Sequence, residues 1–441
     1  MSRLTLQLYD QGNWQDVMTL KFPNPLQSLN GPCEFAYLPD YVKTTPSAYG
    51  SLFCQAVSAA LPVDFGVHQL PKAPAFVHDI APSGAAKRFL LKHIGRERPD
   101  HLGEDLFLLE RCSPAPIGNL RIKESVAHLD VTDPLGFHRE AVISRDQRFL
   151  EYAYEQGAAI GGATGAGGEA PKLLMTEDDA GQLYPDAVLE DDRAYRHWFI
   201  KFARHQGLVN DQDILRAEYL YYKALQQLGI STVASAHMAL EEGSKPSLWL
   251  ERFDRHVSAS GVQRFAVESM YSLCGVTEPG SRMDHLEVIE TLVDLWTTAG
   301  QADQVPTLIT DYLQRDLINK ILGNTDNHGR NTAIIRTGDA IRLAPIYDLA
   351  PMVMDNDGIT RTTKWPAALE RAGDIDWLGV CSALGRFVEP DQTYEQLRQD
   401  AHRLAALPDL LFSLGLPDNV MNHPAIGLGQ LQRRMNVWGL A

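Results

Sequence analysis

Three side chains with oxygen atoms that could do chemistry, Asp326, Asn331 and Asp348, lie close together in the last third of the 441-residue chain. Asp326 and Asn331 are five positions apart on a connection that follows a helical pattern, so even an extended backbone keeps them within ~17 Å of each other. From Asn331 onward the sequence predicts a hairpin that turns at Gly338. In that hairpin Asn331 is opposite Ile346, and Asp348 is a diagonal neighbour at about 7–8 Å.

This set of residue types fits phosphoryl transfer. The reaction needs a carboxylate that orients the attacking hydroxyl group, oxygen ligands for Mg2+, and cations on the phosphate groups. We expect Asp326 to accept the hydroxyl proton, and Asn331 and Asp348 to bind Mg2+. The alternative is that Asp326 and Asn331 cap a turn and Asp348 begins a helix, which these residue types also favour.

His328 lies between Asp326 and Asn331 and is a metal ligand in principle. A single imidazole beside carboxylate and amide oxygens is better suited to hydrogen bonding or to a structural role. We therefore place His328 among the residues around the bound cofactor and not among the metal ligands.

The most glycine-dense stretch of the sequence runs from 157 to 168 and includes Gly165, Gly167 and Gly168. Glycine allows backbone N–H groups to wrap around phosphate oxygens, because no Cβ atom blocks positive φ values. The stretch has neither a Walker signature nor a spaced G-x-G-x-x-G. It predicts either a loop that covers phosphates or a flexible linker.

Lys201 is embedded in a run of large apolar residues that predicts a buried strand. A lysine there costs free energy unless an anion or carboxylate meets it, although a strand lysine can also simply face solvent. Glu218 follows near the middle of a predicted helix from Asp211 to Leu228. A lysine strand followed by a glutamate helix is how kinase folds hold nucleotide phosphates, and the alternative for Glu218 is a surface position.

The elements that must position these residues are β-rich first and α-rich second. Alternating Leu4, Leu6 and Leu8 predict an amino-terminal strand, followed by a turn at Gln11-Gly12-Asn13. Periodicity of 3.6 residues predicts helices at Ala85 to Ile94, Phe137 to Gln156, Asp211 to Leu228, Val267 to Cys274, Leu286 to Thr298, Val305 to Gly323, Glu395 to Ala406 and Gly427 to Trp438.

Composition limits the function classes. The formal net charge of −16 argues against general attraction to nucleic acid and fits a basic partner. Five scattered cysteines without C-x-x-C spacing predict free thiols and not a disulfide framework or a zinc site. Since the sequence has no apolar run of 18 residues and no signal-peptide pattern, we expect a cytoplasmic protein with no membrane association.

The stretch from Thr325 to Asn331, the stretch from Leu343 to Asp348, and the upstream Glu251-Arg252-Phe253-Asp254-Arg255 resemble the HipA family of bacterial serine/threonine kinase toxins. The resemblance implies ATP and Mg2+ as cofactors, with Asp326 as the catalytic aspartate and Asn331 and Asp348 as metal ligands. It also implies that Lys201 contacts ATP phosphates and that the hinge from Glu251 to Phe253 holds adenine.

The family resemblance also implies partners. Family members commonly pair with a small DNA-binding antitoxin of the HipB type and phosphorylate aminoacyl-tRNA synthetases, so a protein substrate and such an antitoxin are expected. Many members autophosphorylate a serine in the glycine-rich loop. Here Thr164 is the only hydroxyl residue in the matching stretch, so regulation by phosphate at that loop is an open question.

The fold implied is an α+β, two-lobed, protein-kinase-like fold with a β-rich N-terminal subdomain and an all-helical C-terminal lobe. We place the β-rich subdomain at 1–135, the nucleotide-binding part of the N-lobe at 136–258, and the helical C-lobe with the catalytic loop at 259–441. Two other functions are considered: a small-molecule or lipid phosphotransferase, and an inactive kinase-like corepressor or scaffold. The second would be marked by loss of Asp326, Asn331 or Asp348, and all three are present.

Overall fold

The computed structural model describes residues 1–129, 131–160, 172–205, 207–243 and 245–441. These residues form two compact units. Unit 1 comprises Met1–His205, Glu241–Pro279 and Ala333–Arg342, and unit 2 comprises Gln206–Leu240, Gly280–Thr332 and Leu343–Ala441. Each unit is assembled from several stretches of chain. The division into three consecutive segments at 1–135, 136–258 and 259–441 therefore stays a prediction.

The strands and helices of the described residues are numbered in chain order. The strands are β1 Ser2–Asp10, β2 Asn13–Phe22, β3 Cys33–Tyr37, β4 His68–Leu70, β5 Leu120–Ile122, β6 Ala159–Ile160, β7 Lys172–Asp178, β8 Leu183–Pro185, β9 Ala194–Phe202, β10 Ala239–Glu241, β11 Ser247–Glu251, β12 Arg255–Ser258, β13 Gly261–Arg264, β14 Ala266–Ser269, β15 Met283–Asp284, β16 Ala333–Arg336, β17 Ile341–Leu343, β18 Thr363–Lys364, β19 Glu370–Arg371 and β20 Asp374–Ile375. The α-helices are α1 Pro39–Thr44, α2 Ala75–Ile80, α3 Gly84–Ile94, α4 Glu104–Cys112, α5 Lys123–Val126, α6 Arg139–Ser144, α7 Gln147–Glu155, α8 Val209–Gln227, α9 Met270–Leu273, α10 His285–Thr298, α11 Val305–Leu322, α12 Trp377–Ala383, α13 Pro390–Leu404, α14 Leu407–Ser413, α15 Asp418–Met421 and α16 Leu431–Val437.

The first sheet of unit 1 has the strand order β4-β3-β2-β1-β5. Its first hairpin follows from the sequence pattern. Leu4, Leu6 and Leu8 are fully or almost fully buried on one face of β1. Gln11 and Gly12 both adopt positive φ, the backbone conformation of a tight two-residue hairpin turn, and Asp10 pairs directly with Asn13.

The second sheet of unit 1 has the order β10-β11-β9-β7-β6, with β8 paired to β7. Its central strand β9 carries Lys201, as the apolar run predicts. A buried charge network lies beside this sheet. Arg252 donates to Asp186 at 3.0 Å and to Asp254 at 2.6 Å, and Arg255 donates to Asp254 at 2.7 Å. Burial alone would raise the pKa of Asp254, but the two guanidinium groups hold that pKa well below its usual range.

Two predicted helices of unit 1 are wrong in detail. The helix expected from Phe137 to Gln156 is two helices, α6 and α7, because Arg145 adopts φ +57 between them. The helix expected from Val267 to Cys274 is strand β14 followed by the single turn α9, since Val267 pairs with Ile335 of β16. A long-range strand partner decided this stretch against its local periodicity.

Unit 2 is built mainly from helices α8 and α10–α16. The two longest of these helices are α8 and α11. Buried in its interior, Asp316 of α11 accepts hydrogen bonds from the Trp365 indole at 2.8 Å and from Arg361. His285 stacks on the Trp365 ring with centroids 4.6 Å apart, and its Nδ1 lies 2.8 Å from the Tyr312 hydroxyl. In the described residues, no helix combines the length and apolar character that crossing a bilayer requires.

Burial lowers the pKa of His285 to about 4, with Arg361 adding to the effect and Asp316 opposing it. Because the ordinary histidine pKa is about 6.5, the unfolded chain takes up a proton between pH 6.5 and 4 while the folded chain does not. We therefore expect the free energy of unfolding to fall through this window as pH is lowered, by up to roughly 1.4 kcal/mol per pH unit from this group. Urea unfolding at several pH values measures the slope.

The variant His285→Phe keeps an aromatic ring over Trp365 and removes the titrating group, so its slope between pH 6.5 and 4 should be shallower than that of the wild type. Exposed His402 of α13 is the matched control, and His402→Phe should keep the wild-type slope. An unchanged slope in His285→Phe would contradict the assignment.

Candidate active site

The loop after α11 begins with a sharp turn at Gly323. Gly323 has φ +70, and a Cβ atom at this position would lie 2.9 Å from Ile426 and 3.0 Å from Val353. The next N–H, that of Asn324, returns to the Asn319 carbonyl at 2.9 Å, which completes the helix end. Glycine is therefore required here for both its backbone conformation and its lack of a side chain.

The buried amide of Asn324 ties two loops together. Its Oδ1 accepts from the Asp326 N–H at 3.1 Å, and its Nδ2 donates to Asn319 Oδ1 at 2.9 Å and to the Asp348 carbonyl at 3.4 Å. Asn324 is 4% exposed. One side chain thus sets the positions of both Asp326 and Asp348. Asn324 was not among the site residues predicted from the sequence, although an asparagine directly after the helix-ending glycine was a visible signal.

Asp326, His328 and Asn331 form one tight turn. The Asn331 Nδ2 donates to the Asp326 carbonyl at 2.6 Å, and the Asn331 N–H donates to the His328 carbonyl at 2.8 Å. The Arg330 N–H donates to His328 Nδ1 at 3.2 Å, so a neutral imidazole carries its proton on Nε2. That Nε2 lies 3.5 Å from Asp326 Oδ1. His328 is therefore placed to orient Asp326, in keeping with the hydrogen-bonding role expected for it, and its assignment to the cofactor stays a prediction.

Asp348 adopts φ +54, which is uncommon for any residue other than glycine. On one side of it, the Tyr347 hydroxyl donates to the Arg330 carbonyl at 2.5 Å. On the other side, the Leu349 N–H donates to the Tyr222 hydroxyl at 3.2 Å. Asp348 is thus held in a left-handed turn between two anchored neighbours, an arrangement often found at functional sites.

The strand pair and the turn of the predicted hairpin are confirmed, but the pairing predicted beyond the strands is not. Strands β16 and β17 pair, and the Thr337 N–H closes the turn onto the Ala340 carbonyl at 2.9 Å. Asn331 lies in a bend before β16 and forms no bridge, while Ile346 bridges to Thr232, so the expected pairing of Asn331 with Ile346 is wrong. Asn331 and Asp348 are instead related through the Asn324 amide and the Asp326 backbone, which local pairing rules do not reveal.

Glu218 of α8 is buried in unit 2 beside the same loops. It accepts a hydrogen bond from the Tyr222 hydroxyl at 2.7 Å. Burial raises the pKa of Tyr222 well above its ordinary value, and the negative charges of Glu218 and Asp348 raise it further. Glu218 and Asp348 therefore both lie close to one buried hydroxyl group. Glu218 is 3% exposed, so the surface alternative for it is wrong, and Tyr222 is a second residue that was not predicted from the sequence.

In unit 1, Lys201 is 4% exposed, so the solvent-facing alternative for this residue is wrong. The register of β7 and β9 places Lys172 directly opposite Lys201. Residues directly opposite on antiparallel strands share a face, so the two lysines are neighbours on one face of this sheet. Lys172 was not among the predicted site residues.

The predicted adenine hinge lies at the end of β11. Glu251 is the last residue of that strand and pairs with Trp198, and Phe253 follows in a turn, with both side chains partly buried. Between them, the Arg252 N–H donates to the His197 carbonyl at 2.9 Å. The buried charge network of Arg252 and Asp254 therefore fixes the backbone that carries both residues. Gly165, Gly167, Gly168 and Thr164 lie outside the described residues.

A family model described as the HipA-like C-terminal domain matches residues 164–406, more than half of the chain. The chain belongs to this family. The resemblance drawn from the sequence motifs is thereby confirmed, and the family match contains every predicted site residue.

Similar proteins were found by sequence and by structure. The protein named Putative kinase Y4mE of Sinorhizobium fredii is 31% identical over 111 residues, which is 25% of this chain and 26% of that protein. The match thus spans about a quarter of the length of this curated relative. The Shewanella oneidensis MR-1 toxin–antitoxin protein HipA, solved with HipB and operator DNA, superposes with a TM-score of 0.65 at 17% identity over 99% of each chain. The Helicobacter pylori proinflammatory kinase CtkA gives a TM-score of 0.37 at 12% identity, over 62% of this chain and 89% of that one.

The superposition on HipA shows the fold. The α+β, two-lobed, kinase-like fold predicted from the sequence is confirmed. The helical lobe also contains the short strand pairs β15–β18 and β19–β20, so it is mainly and not entirely helical.

Tyr222→Phe should destabilise the protein by roughly 2 kcal/mol, because it leaves both the Leu349 N–H and the Glu218 carboxylate without the hydroxyl. The neighbouring Tyr221 is equally buried, and its hydroxyl bonds only to the Leu322 carbonyl, at 3.2 Å, among the described residues. Tyr221→Phe is therefore the matched control and should cost about 1 kcal/mol. Denaturant unfolding monitored by circular dichroism compares the two, and equal losses would contradict the bridging role of Tyr222.

Proposed function

We propose that this HipA-like chain is an ATP- and Mg2+-dependent phosphotransferase that phosphorylates serine or threonine of a cytoplasmic protein, as a kinase of the HipA toxin type. The observation that carries the proposal is the buried Asn324 amide, which holds the Asp326 and Asp348 backbones together. Residues that only cap a turn do not require a fixed position relative to a second loop. A base and metal ligands that act in one reaction do require it, because their relative positions set the rate.

The residues present fit a divalent cation. Asn331 uses its Nδ2 on the Asp326 carbonyl, which leaves the amide oxygen as its ligand atom. The Asp348 carboxylate is proposed as the second oxygen ligand. Glu218, which accepts a hydrogen bond from Tyr222, is a second negative charge near the same hydroxyl group as Asp348. Oxygen donors of this kind suit Mg2+, which neutralises charge on phosphate oxygens when bound.

Lys172 and Lys201 are the residues proposed to hold the phosphate groups of ATP. Lys201 is proposed for this role on the family resemblance, and Lys172 because the register of β7 and β9 places it directly opposite Lys201. The Glu251–Phe253 hinge is proposed to hold adenine, on the family resemblance. Glycine residues of the 157–168 stretch are proposed to cover the phosphates, with Thr164 as a candidate for autophosphorylation.

Asp326 is proposed as the proton acceptor. As the acceptor oxygen forms its bond to the γ-phosphorus and the bond to ADP breaks, the hydroxyl proton passes to the Asp326 carboxylate. The His328 Nε2 atom, 3.5 Å from Oδ1, and the Asn331 bond to the Asp326 backbone keep that carboxylate in one orientation. Such positioning of a base is typically worth ~10²–10⁴ in rate.

A small DNA-binding antitoxin similar to HipB is proposed as the partner. The support is the HipA structure, which was solved with HipB and operator DNA. The formal charge of −16 disfavours direct binding of nucleic acid by this chain alone and leaves DNA contact to a more basic partner. Aminoacyl-tRNA synthetases are the substrate class to test first, on the family resemblance.

Incubation with γ-labelled ATP and Mg2+ tests the reaction. Wild-type protein should transfer label to a protein acceptor, such as a panel of purified aminoacyl-tRNA synthetases, and Asp326→Asn should lower the rate ~10²–10⁴-fold because the amide cannot accept the proton. Transfer that survives Asp326→Asn undiminished would contradict the assignment of the base. Label found on small molecules or lipids but not on protein would favour the alternative phosphotransferase.

Thermal unfolding with ATP and Mg2+ tests the phosphate site. At nucleotide concentrations near 100 times the dissociation constant, binding should stabilise the wild type by about 2.7 kcal/mol. Lys201→Met should lose most of this stabilisation, because it removes the buried cation. Lys21→Met removes the partly exposed ion pair with Glu34 in the first sheet and should keep the nucleotide effect. Equal nucleotide effects in both variants would remove Lys201 from the site.

A further inference from the structure

Asn327 follows Asp326 directly, but its side chain is engaged elsewhere. Its Nδ2 donates to the Thr363 carbonyl at 2.8 Å, and its Oδ1 accepts from the Thr362 N–H at 3.1 Å. The side chain is buried, and both ends of its amide are bound to the backbone of one short segment. Because Oδ1 is already engaged, Asn327 is poorly placed to be a metal ligand.

The segment that Asn327 binds, Arg361–Trp365, is held from a second side as well. Met283 pairs with Thr363 and Asp284 with Lys364 in the parallel pair β15–β18, and the Met283 N–H donates to the Thr362 carbonyl at 3.1 Å. The two hydrogen bonds of the Asn327 amide thus resemble those that a second neighbouring strand would make with the segment. The segment is a short strip of backbone with partners on two sides.

Both ends of the segment are anchored to Asp316 in the interior. Arg361 Nη2 lies 2.9 Å from Asp316 Oδ1, and the Trp365 indole donates to Asp316 Oδ2 at 2.8 Å. Burial would raise the pKa of Asp316, but Arg361, His285 and the Trp365 hydrogen bond lower it below its ordinary value. The carboxylate is therefore kept ionised, and its two partners fix where the segment begins and ends.

Exposure alternates along the segment. Arg361, Thr363 and Trp365 are buried, whereas Lys364 is exposed and Thr362 is partly exposed. The Thr362 Oγ1 and the Thr325 Oγ1, on the residue before Asp326, are enclosed and have no hydrogen-bond partner among the described residues. Enclosed hydroxyl groups in folded proteins are nearly always paired, so the hydrogen-bonding capacity of these two oxygens is unused among the described residues.

We propose that Asn327 is a positioning residue for the phosphate acceptor. It holds the Arg361–Trp365 segment at a fixed place one residue away from Asp326, and the acceptor polypeptide lies over the exposed face of that segment, at Thr362 and Lys364, with its serine or threonine hydroxyl at the Asp326 carboxylate. The inference rests on the proposed phosphotransferase function. It assigns the acceptor side of the site, whereas Asn331 and Asp348 serve the nucleotide side.

The test compares two acceptors for the same phosphoryl group. Wild type, Asn327→Ala and Asn327→Asp are assayed for phosphate transfer to a mixed peptide library with a central serine, and for ATP hydrolysis without peptide, where water is the acceptor. We expect the ratio of peptide phosphorylation to hydrolysis to fall at least tenfold in both variants, with a raised KM for peptide. Asn327→Asp has the same shape and keeps the acceptor for the Thr362 N–H, so it covers the case in which Asn327→Ala fails to fold.

Asn422→Ala is the matched control, because Asn422 also donates from Nδ2 to a backbone carbonyl, that of Asp418 at 2.9 Å, but on the surface at α15. Its ratio should equal that of the wild type. Equal losses of peptide transfer and hydrolysis in Asn327→Asp, or no change in either, would overturn the inference while leaving the phosphotransferase function standing. A wild-type protein that neither hydrolyses ATP nor labels peptides would overturn the proposed function itself.

Discussion

The buried amide of Asn324 is the interaction on which the candidate site depends. It accepts from the Asp326 N–H and donates toward the Asp348 carbonyl, so it joins the loop after α11 to the loop after β17. Its own position is set by the bond to Asn319 and by the turn at Gly323, where no side chain fits. A buried amide that lost these partners would cost free energy, and this cost keeps the two loops in one arrangement.

Like charges are grouped at two places among the candidate site residues. In unit 2, Glu218 and Asp348 both act on the Tyr222 hydroxyl, close to the loop of Asp326. In unit 1, Lys172 and Lys201 oppose each other across two strands. Glu218, Asp348 and Lys201 were predicted from the sequence, whereas Tyr222 and Lys172 were found in the structure.

Much of the local structure could be predicted from the sequence, because the signals are local. Alternating leucines identified β1, the glycine that ends α8 identified the helix carrying Glu218, and the turn at 337–340 identified the β16–β17 hairpin. Predictions failed where a distant partner mattered. Val267 lies in a strand because Ile335 pairs with it, and Ile346 pairs with Thr232 instead of continuing the hairpin toward Asn331.

By itself, the sequence determined the family, the residue types at the candidate site and the elements that carry them, since motifs and periodicity are properties of neighbouring residues. Only the tertiary structure decided which residues hold that site together. Asn324, Tyr222 and Asn327 bond to backbone atoms 24, 127 and 36 positions away. Hydrogen bonds to backbone groups leave no side-chain pattern at the partner position, so they become visible only when the chain is folded.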